Sequence, residues 1–256
     1  MALKKIASKE SREQKNVYRR EVLAALGAGV GAVLAACGGT STSPSATTTT
    51  TGGTTTGGTS STASCAVTPS ETEGPYPDKT GMINNSAFFR RDITEGKSGL
   101  PLTVTLTVVN VNNSCAAVSG ANVEIWQCDA AGHYSEYSQQ GFDGSGQTFL
   151  RGIQTTDANG QVTFTTIYPG WYGGRATHIH VDVFRNGSLV KTTQIAFPET
   201  VSSAVYASGV YAAKGQNSTS NASDNVFSDG TTSELATLTG NTTSGYTATL
   251  TIGIPV

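Results

Sequence analysis

Residues 102–108 read Leu-Thr-Val-Thr-Leu-Thr-Val, and this alternation constrains the fold more than any other stretch. A period of two puts every Leu and Val on one face and every Thr on the other, which is a half-buried β-strand and not a helix. Shorter apolar runs of the same kind occupy 121–128, 148–155, 161–168, 178–185, 189–197 and 246–252. Turn residues separate them. Asp157-Ala158-Asn159-Gly160 predicts a hairpin between 148–155 and 161–168, and Asn186-Gly187 a second between 178–185 and 189–197. Only 202–211 has a helical look, and there is no internal repeat. Strands and turns at this spacing predict an all-β fold, an antiparallel β-sandwich with long functional loops.

The first 64 of the 256 residues stand outside that pattern. Lys4, Lys5, Lys9, Arg12, Lys15, Arg19 and Arg20 form a basic leader, and the Ala/Gly/Leu-rich run 22–36 is too short to span a bilayer. It ends on Leu34-Ala35-Ala36-Cys37-Gly38, which resembles a bacterial lipobox whose cysteine, Cys37, is lipidated and becomes the mature N-terminus. Arg19-Arg20 followed by Val22-Leu23 resembles a twin-arginine export signal. An uncleaved anchor helix is the alternative, and both readings give an exported protein tethered to the membrane or cell surface. Residues 38–64 are nearly all Thr, Ser and Gly and read as a flexible tether, leaving 65–256 as the folded domain.

Removing 1–37 takes away seven of the 16 Lys+Arg and three of the 18 Asp+Glu, so the mature chain carries a net charge of −6. An acidic chain without a basic cluster is a poor partner for nucleic acid, and the lipid is its one expected link to a membrane. Outside the cytosol two of Cys65, Cys115 and Cys128 should pair. Cys65–Cys115 is favoured because it pins the domain's start to its first long strand; Cys115–Cys128 competes.

The chemistry gathers in Tyr168-Pro169-Gly170-Trp171-Tyr172-Gly173-Gly174-Arg175-Ala176-Thr177-His178-Ile179-His180. On a strand, His178 and His180 project from one face about 6–7 Å apart, which suits two ligands on one metal ion. The phenol of Tyr172, with a free pKa of about 10, ionises beside a trivalent cation. A buried histidine pair and a packed tyrosine fit these residues equally well.

A second stretch, Val123-Glu124-Ile125-Trp126-Gln127-Cys128-Asp129-Ala130-Ala131-Gly132-His133-Tyr134-Ser135, decides between them. Val-x-Ile-Trp…Asp-Ala-x-Gly-x-Tyr-Ser, then Pro-Gly-x-Tyr and Arg-x-x-His-x-His, resembles the intradiol ring-cleavage dioxygenases, the catechol and protocatechuate dioxygenases and above all their exported single-domain relatives. Thr72-Glu73-Gly74-Pro75-Tyr76 fits the same family. The likeness covers about residues 65–252.

The resemblance implies one non-haem Fe(III) ligated by Tyr134, Tyr172, His178 and His180. Two phenolates and a hydroxide would neutralise the ion's three charges. It implies a small aromatic diol and O2 as substrates, with the ring opened between its hydroxyl carbons to a muconate-type diacid. The diol would displace hydroxide and Tyr172, and these accept its protons. Arg175 matches the arginine that stabilises charge developing on the ring; a strand-edge ion pair is its plainer role. Gln194 matches a glutamine that holds substrate and oxygen. It reaches the site if a three-residue loop, Asn186-Gly187-Ser188, sets it opposite His180, whereas a plain two-residue turn sets it opposite Ile179. Thr72, Gly74, Pro75 and Tyr76 resemble part of the substrate pocket wall, a plain turn at the domain entrance being the equal alternative, and Trp171 stands at the pocket rim or simply packs.

Three departures stand out. The common Trp-His reads Trp126-Gln127; the loop between Tyr172 and Arg175 shrinks to Gly173-Gly174; and the N-terminal helical domain of the larger catechol dioxygenases, with its dimer interface, is missing. Two rival functions use other features. His133, His178 and His180 could form a three-histidine zinc site for hydrolysis, although neighbours in an extended chain point oppositely, so only one of His133 and Tyr134 faces a metal. A tethered, non-catalytic sandwich that binds a partner is the second.

Overall fold

The alternating stretch becomes β1 (Pro101–Asn110), with Leu102, Val104, Leu106 and Val108 buried and the intervening threonines half-exposed. In this computed structural model, which describes residues 65–79 and 81–256, it is followed by β2 (Ala116–Ala117), β3 (Asn122–Trp126), β4 (Ser138–Gln139), β5 (Phe142–Asp143), β6 (Arg151–Thr155) and β7 (Gln161–Ile167). Then come β8 (His178–Arg185), β9 (Ser188–Ala196), the helix α1 (Glu199–Tyr206), β10 (Thr237–Asn241) and β11 (Gly245–Ile254). The leader, Cys37 and the tether lie outside the described residues.

Two sheets face each other. One runs β10-β11-β1-β2, with β7 also paired to β1; the other runs β6-β3-β8-β9. Their inner faces meet in one apolar core that includes Leu106 and Val108 of β1, Val123 and Ile125 of β3, Phe164 of β7, Ile179 and Val181 of β8 and Ile252 of β11. This is the expected all-β sandwich, with one departure from purely antiparallel pairing. β1 and β11 run parallel over Leu102↔Tyr246 to Asn110↔Ile254.

The turn at 157–160 forms as expected, with the Asp157 carboxylate accepting the backbone N–H of Asn159 and of Gln161. It does not close a hairpin. β6 pairs with β3 and β7 with β1, so the turn carries the chain from one sheet to the other. Apolar faces on both flanking strands satisfy either arrangement, and period two does not distinguish them.

The β8–β9 hairpin is real, and its register has an unexpected cause. Asn186 (φ 51°) and Gly187 (φ 76°) make a two-residue turn that pairs Arg185 with Ser188. A bulge then inserts Val190, so Phe184 faces Leu189 while Val183 faces Lys191 and His180 faces Gln194. The extra residue sits in the strand, not in the loop.

The helical look of 202–211 resolves into α1 and a 3-10 turn at Gly209–Tyr211. Cys65 and Cys115 are bonded, with Cα atoms 5.8 Å apart, and Cys128 is a free, buried thiol. The bond closes a 50-residue separation, which by chain entropy is worth about 4 kcal/mol.

Leu106 is fully buried at the centre of this core, paired to Leu250 on one side and Val162 on the other. Leu106→Ala is expected to lower the unfolding free energy by about 3 kcal/mol, read as a fall in the urea midpoint with an unchanged slope.

Candidate metal centre

The outer face of the β6-β3-β8-β9 sheet carries the unusual side chains. Inward-pointing Ile179 and Val181 fix the alternation of β8, so His178 and His180 must point away from the core. Both rings are nonetheless buried. Trp126, opposite His180 on β3, stacks parallel on its ring at 4.7 Å. Gly74, held at φ +70°, closes on the same imidazole; a Cβ there would stand 3.0 Å from His180 Cε1.

Tyr134 enters from the turn after β3. The Asp129 carboxylate accepts the N–H groups of Ala131 and His133 and pairs with Lys97 at 2.7 Å. That turn throws Tyr134 inward, fully buried, with Tyr76 stacked on it at 4.7 Å. Tyr172 enters from the loop after β7 and is half-buried. The two loops pack backbone against backbone. A Cβ on Gly132 would lie 2.2 Å from the Trp171 carbonyl oxygen, and one on Gly170 would lie 2.3 Å from that of Asp129. Glycine at both positions is therefore a requirement of close approach.

Four donor atoms converge. His178 Nε2 lies 3.1 Å from His180 Nε2, 3.2 Å from Tyr172 Oη and 3.4 Å from Tyr134 Oη. Two ligands at about 2.1 Å from one ion, and about 90–110° apart, stand roughly 3.0–3.4 Å from each other. The spacing is that of a coordination shell. His178 Nδ1 contacts the Ala176 carbonyl oxygen at 2.6 Å, which fixes its proton there and leaves the Nε2 lone pair facing the cluster. His180 Nδ1 faces the Thr72 backbone without a hydrogen bond of normal geometry.

Burial sets the charge states. Desolvation pushes His178 down to about 3 and His180 well below its usual value, with Arg175 or the other imidazole adding to the effect. It pushes Tyr172 up to about 12 and Tyr134 well above 10. Neutral imidazoles present lone pairs, while the phenols hold their protons unless a cation displaces them. Two nitrogens and two potential phenolate oxygens suit a hard, highly charged metal ion.

Arg175 stands beside the cluster, with Nη1 3.4 Å from both Tyr172 Oη and His178 Nε2. Its Nη2 donates to Gln194 Oε1, and Gln194 Nε2 donates to the Thr72 carbonyl at 2.8 Å. Thr72 and Pro75 are exposed on the same segment as Gly74 and Tyr76. Trp171 packs instead against the main core and donates its indole N–H to Gly215. His133 does not join the cluster; its ring stacks on Phe142 at 4.5 Å, which removes the three-histidine arrangement.

Two residues of the site went unread in the sequence. Asp224, fully covered, accepts Arg175 Nε at 2.9 Å and the N–H groups of Ala176 and Val226. Buried Arg151 donates to the carbonyls of Tyr76 and Ser135, holding the stacked tyrosine in place. A buried carboxylate 49 residues from its arginine leaves no local signal. Gln127, at the usual histidine position, bridges to β7 through Ile167 and Thr166.

A β-sandwich that brings two tyrosines, two histidines and an arginine together beside one sheet face presents the donor set of a candidate metal centre. Comparison with known proteins gives the family. A model described as Dioxygenase matches residues 72–217, more than half of the chain. An intradiol ring-cleavage dioxygenase from Tetranychus urticae is 30% identical over 75% of this chain and 96% of its own, with a TM-score of 0.68. The dioxygenase domain of a carbohydrate-binding fusion from Streptomyces sp. SirexAA-E is 27% identical over 75% of this chain and 99% of its own, with a TM-score of 0.54. Catechol 1,2-dioxygenase 1 of Acinetobacter lwoffii is 28% identical over 50% of this chain and 45% of its own length. The chain thus spans about half the length of the curated relatives it matches. It belongs to the intradiol ring-cleavage dioxygenases, a family that depends on non-haem Fe(III).

Asp224→Ala strands the Arg175 guanidinium and two N–H groups in a covered site. It is expected to cost about 3 kcal/mol in urea unfolding, with Asp224→Asn costing less.

Proposed function

We propose that this chain cleaves a catechol-type ring with O2 between its two hydroxyl-bearing carbons, giving a muconate-type diacid, at a ferric ion held by Tyr134, Tyr172, His178 and His180. The observation that carries the reading is the convergence of those four donor atoms within 3.4 Å of His178 Nε2. When bound by these residues, Fe(III) would supply the positive charge that ionises the phenols and would make a bound diol's electron-rich ring reactive toward O2.

The chain's own groups do the rest. Tyr134, buried and clamped by Tyr76, is the ligand that stays. Tyr172 is half-buried, and its Oη would accept a proton from the incoming diol. Arg175 Nη1, already 3.4 Å from that oxygen, balances the negative charge left by the proton transfer. Asp224 and Gln194 together hold the guanidinium, so little reorganisation is needed when charge develops. Gly74 packs closely on the edge of His180, where a side chain would crowd the ring, and Tyr76 offers an aromatic wall against which a flat ring packs.

The reading includes an exported protein held by lipid on Cys37. Its support is the lipobox-like 34–38 and the Cys65–Cys115 bond, which suits an oxidising compartment. Cys37→Ser is expected to abolish incorporation of labelled palmitate and to release the protein from the membrane fraction; retained label would contradict the anchor.

For the chemistry, iron content and oxygen uptake are measured in one sample across a small panel of catechols. Purified protein is expected to be coloured by phenolate-to-iron charge transfer and to consume one O2 per ring opened. Tyr134→Phe and His180→Ala are expected to lose iron or turnover by more than about 100-fold while keeping the wild-type circular dichroism. Wild-type oxygen uptake in either variant would overturn the assignment.

A further inference from the structure

A second group of metal-binding side chains lies apart from the tyrosines and histidines. Glu71, Asp229 and Glu234 bring one carboxylate oxygen each within 4.8 Å of one another. Glu71 is distant in sequence from the neighbouring Asp229 and Glu234, and the three meet along the outer edge of β9. Glu71 N–H donates to the Thr192 carbonyl there, and the Glu234 carbonyl accepts from Ala196. Glu234 is fully buried. One of its oxygens accepts the Thr193 hydroxyl at 2.8 Å, while the other, Oε2, is buried with no partner. Among the described residues no lysine or arginine forms an ion pair with any of the three. The nearby Lys191 ammonium is bonded to the Thr68 carbonyl and the Ser70 hydroxyl. A buried carboxylate such as Glu234, set beside two others and ion-paired to none of the described cations, is expensive. Burial, reinforced by the neighbouring carboxylates, pushes Glu71 up to about 6 and Glu234 up to about 7.

We propose that Glu71, Asp229 and Glu234 form a separate binding site for a hard divalent cation of the calcium class. Three carboxylates with no imidazole or thiolate among them favour such an ion over a transition metal. Burial is graded from closed Glu234 through half-buried Glu71 to exposed Asp229, which gives the ion an entry path and room for water ligands. The site joins both walls of the candidate metal centre. Glu71 precedes Thr72, whose carbonyl holds Gln194, and Asp229 and Glu234 follow Asp224, which holds Arg175. A cation here fastens the N-terminal segment to the chain around 224–236 without touching the tyrosine–histidine cluster.

The test is calorimetric titration of the full-length, iron-assayed protein with calcium chloride after equilibration against EGTA. The expected result is about one equivalent of calcium bound with a Kd near or below the about 10⁻⁴–10⁻³ M of extracellular calcium modules, together with a rise in Tm. Asp229→Asn, at an exposed position, and Glu71→Gln are expected to weaken binding at least about tenfold with unchanged circular dichroism. Tyr134→Phe is expected to bind calcium normally, so the result stands whether or not the ferric reading does. Absence of saturable binding up to about 10 mM calcium, unaltered affinity in both carboxylate variants, or loss of calcium binding in Tyr134→Phe would each overturn the proposal.

Discussion

Two imidazoles with their Nε2 atoms 3.1 Å apart, both kept neutral by burial, set the problem that the surrounding structure answers. Neither ring can swing away. The sheet fixes both on one face, Trp126 stacks on one side of His180 and the Gly74 backbone closes in on it. Two phenols complete the cluster, each held neutral by the same burial. A cation here would accept the imidazole lone pairs and the phenolate charge together. On the proposed ferric reading, the site is built to be completed by its ion.

The apolar core supplies the rigidity on which this depends. β8 is locked by Ile179, Val181 and Val183, so its outer face is fixed by the same residues that hold the sandwich together. The tyrosine loops are placed by other means. Their backbones touch at Gly132 and Gly170, and the Asp129 carboxylate organises the turn that leads into Tyr134. The glycines of the Asp-Ala-x-Gly-x-Tyr and Pro-Gly-x-Tyr segments therefore have one shared physical cause, since each makes room for the other loop.

Much of this was legible in the sequence because strand periodicity is a local property. The alternation at 102–108 and the His-X-His spacing fixed faces without any knowledge of partners. Pairing is non-local and was read less well. The 157–160 turn joins sheets instead of closing a hairpin, β11 lies parallel to β1, and β10, exposed and rich in Thr, has no apolar period to announce it. Gln194 lies opposite His180, as the three-residue loop required, although a bulge at Val190 produces that register. Asp224 and Arg151 were unreadable for a different reason. The site partners that matter, Arg175 for Asp224 and Tyr76 for Arg151, are 49 and 75 residues away, and a lone Asp or Arg carries no mark of being buried.

The central claim is that both tyrosines serve as phenolate ligands to one ferric ion. Resonance Raman spectroscopy of the iron-loaded protein, excited in its visible band, tests it most directly. The account expects enhanced phenolate ring modes in the wild type, and a spectrum reduced to a single tyrosinate in Tyr172→Phe. Fully iron-loaded protein without phenolate modes would contradict it.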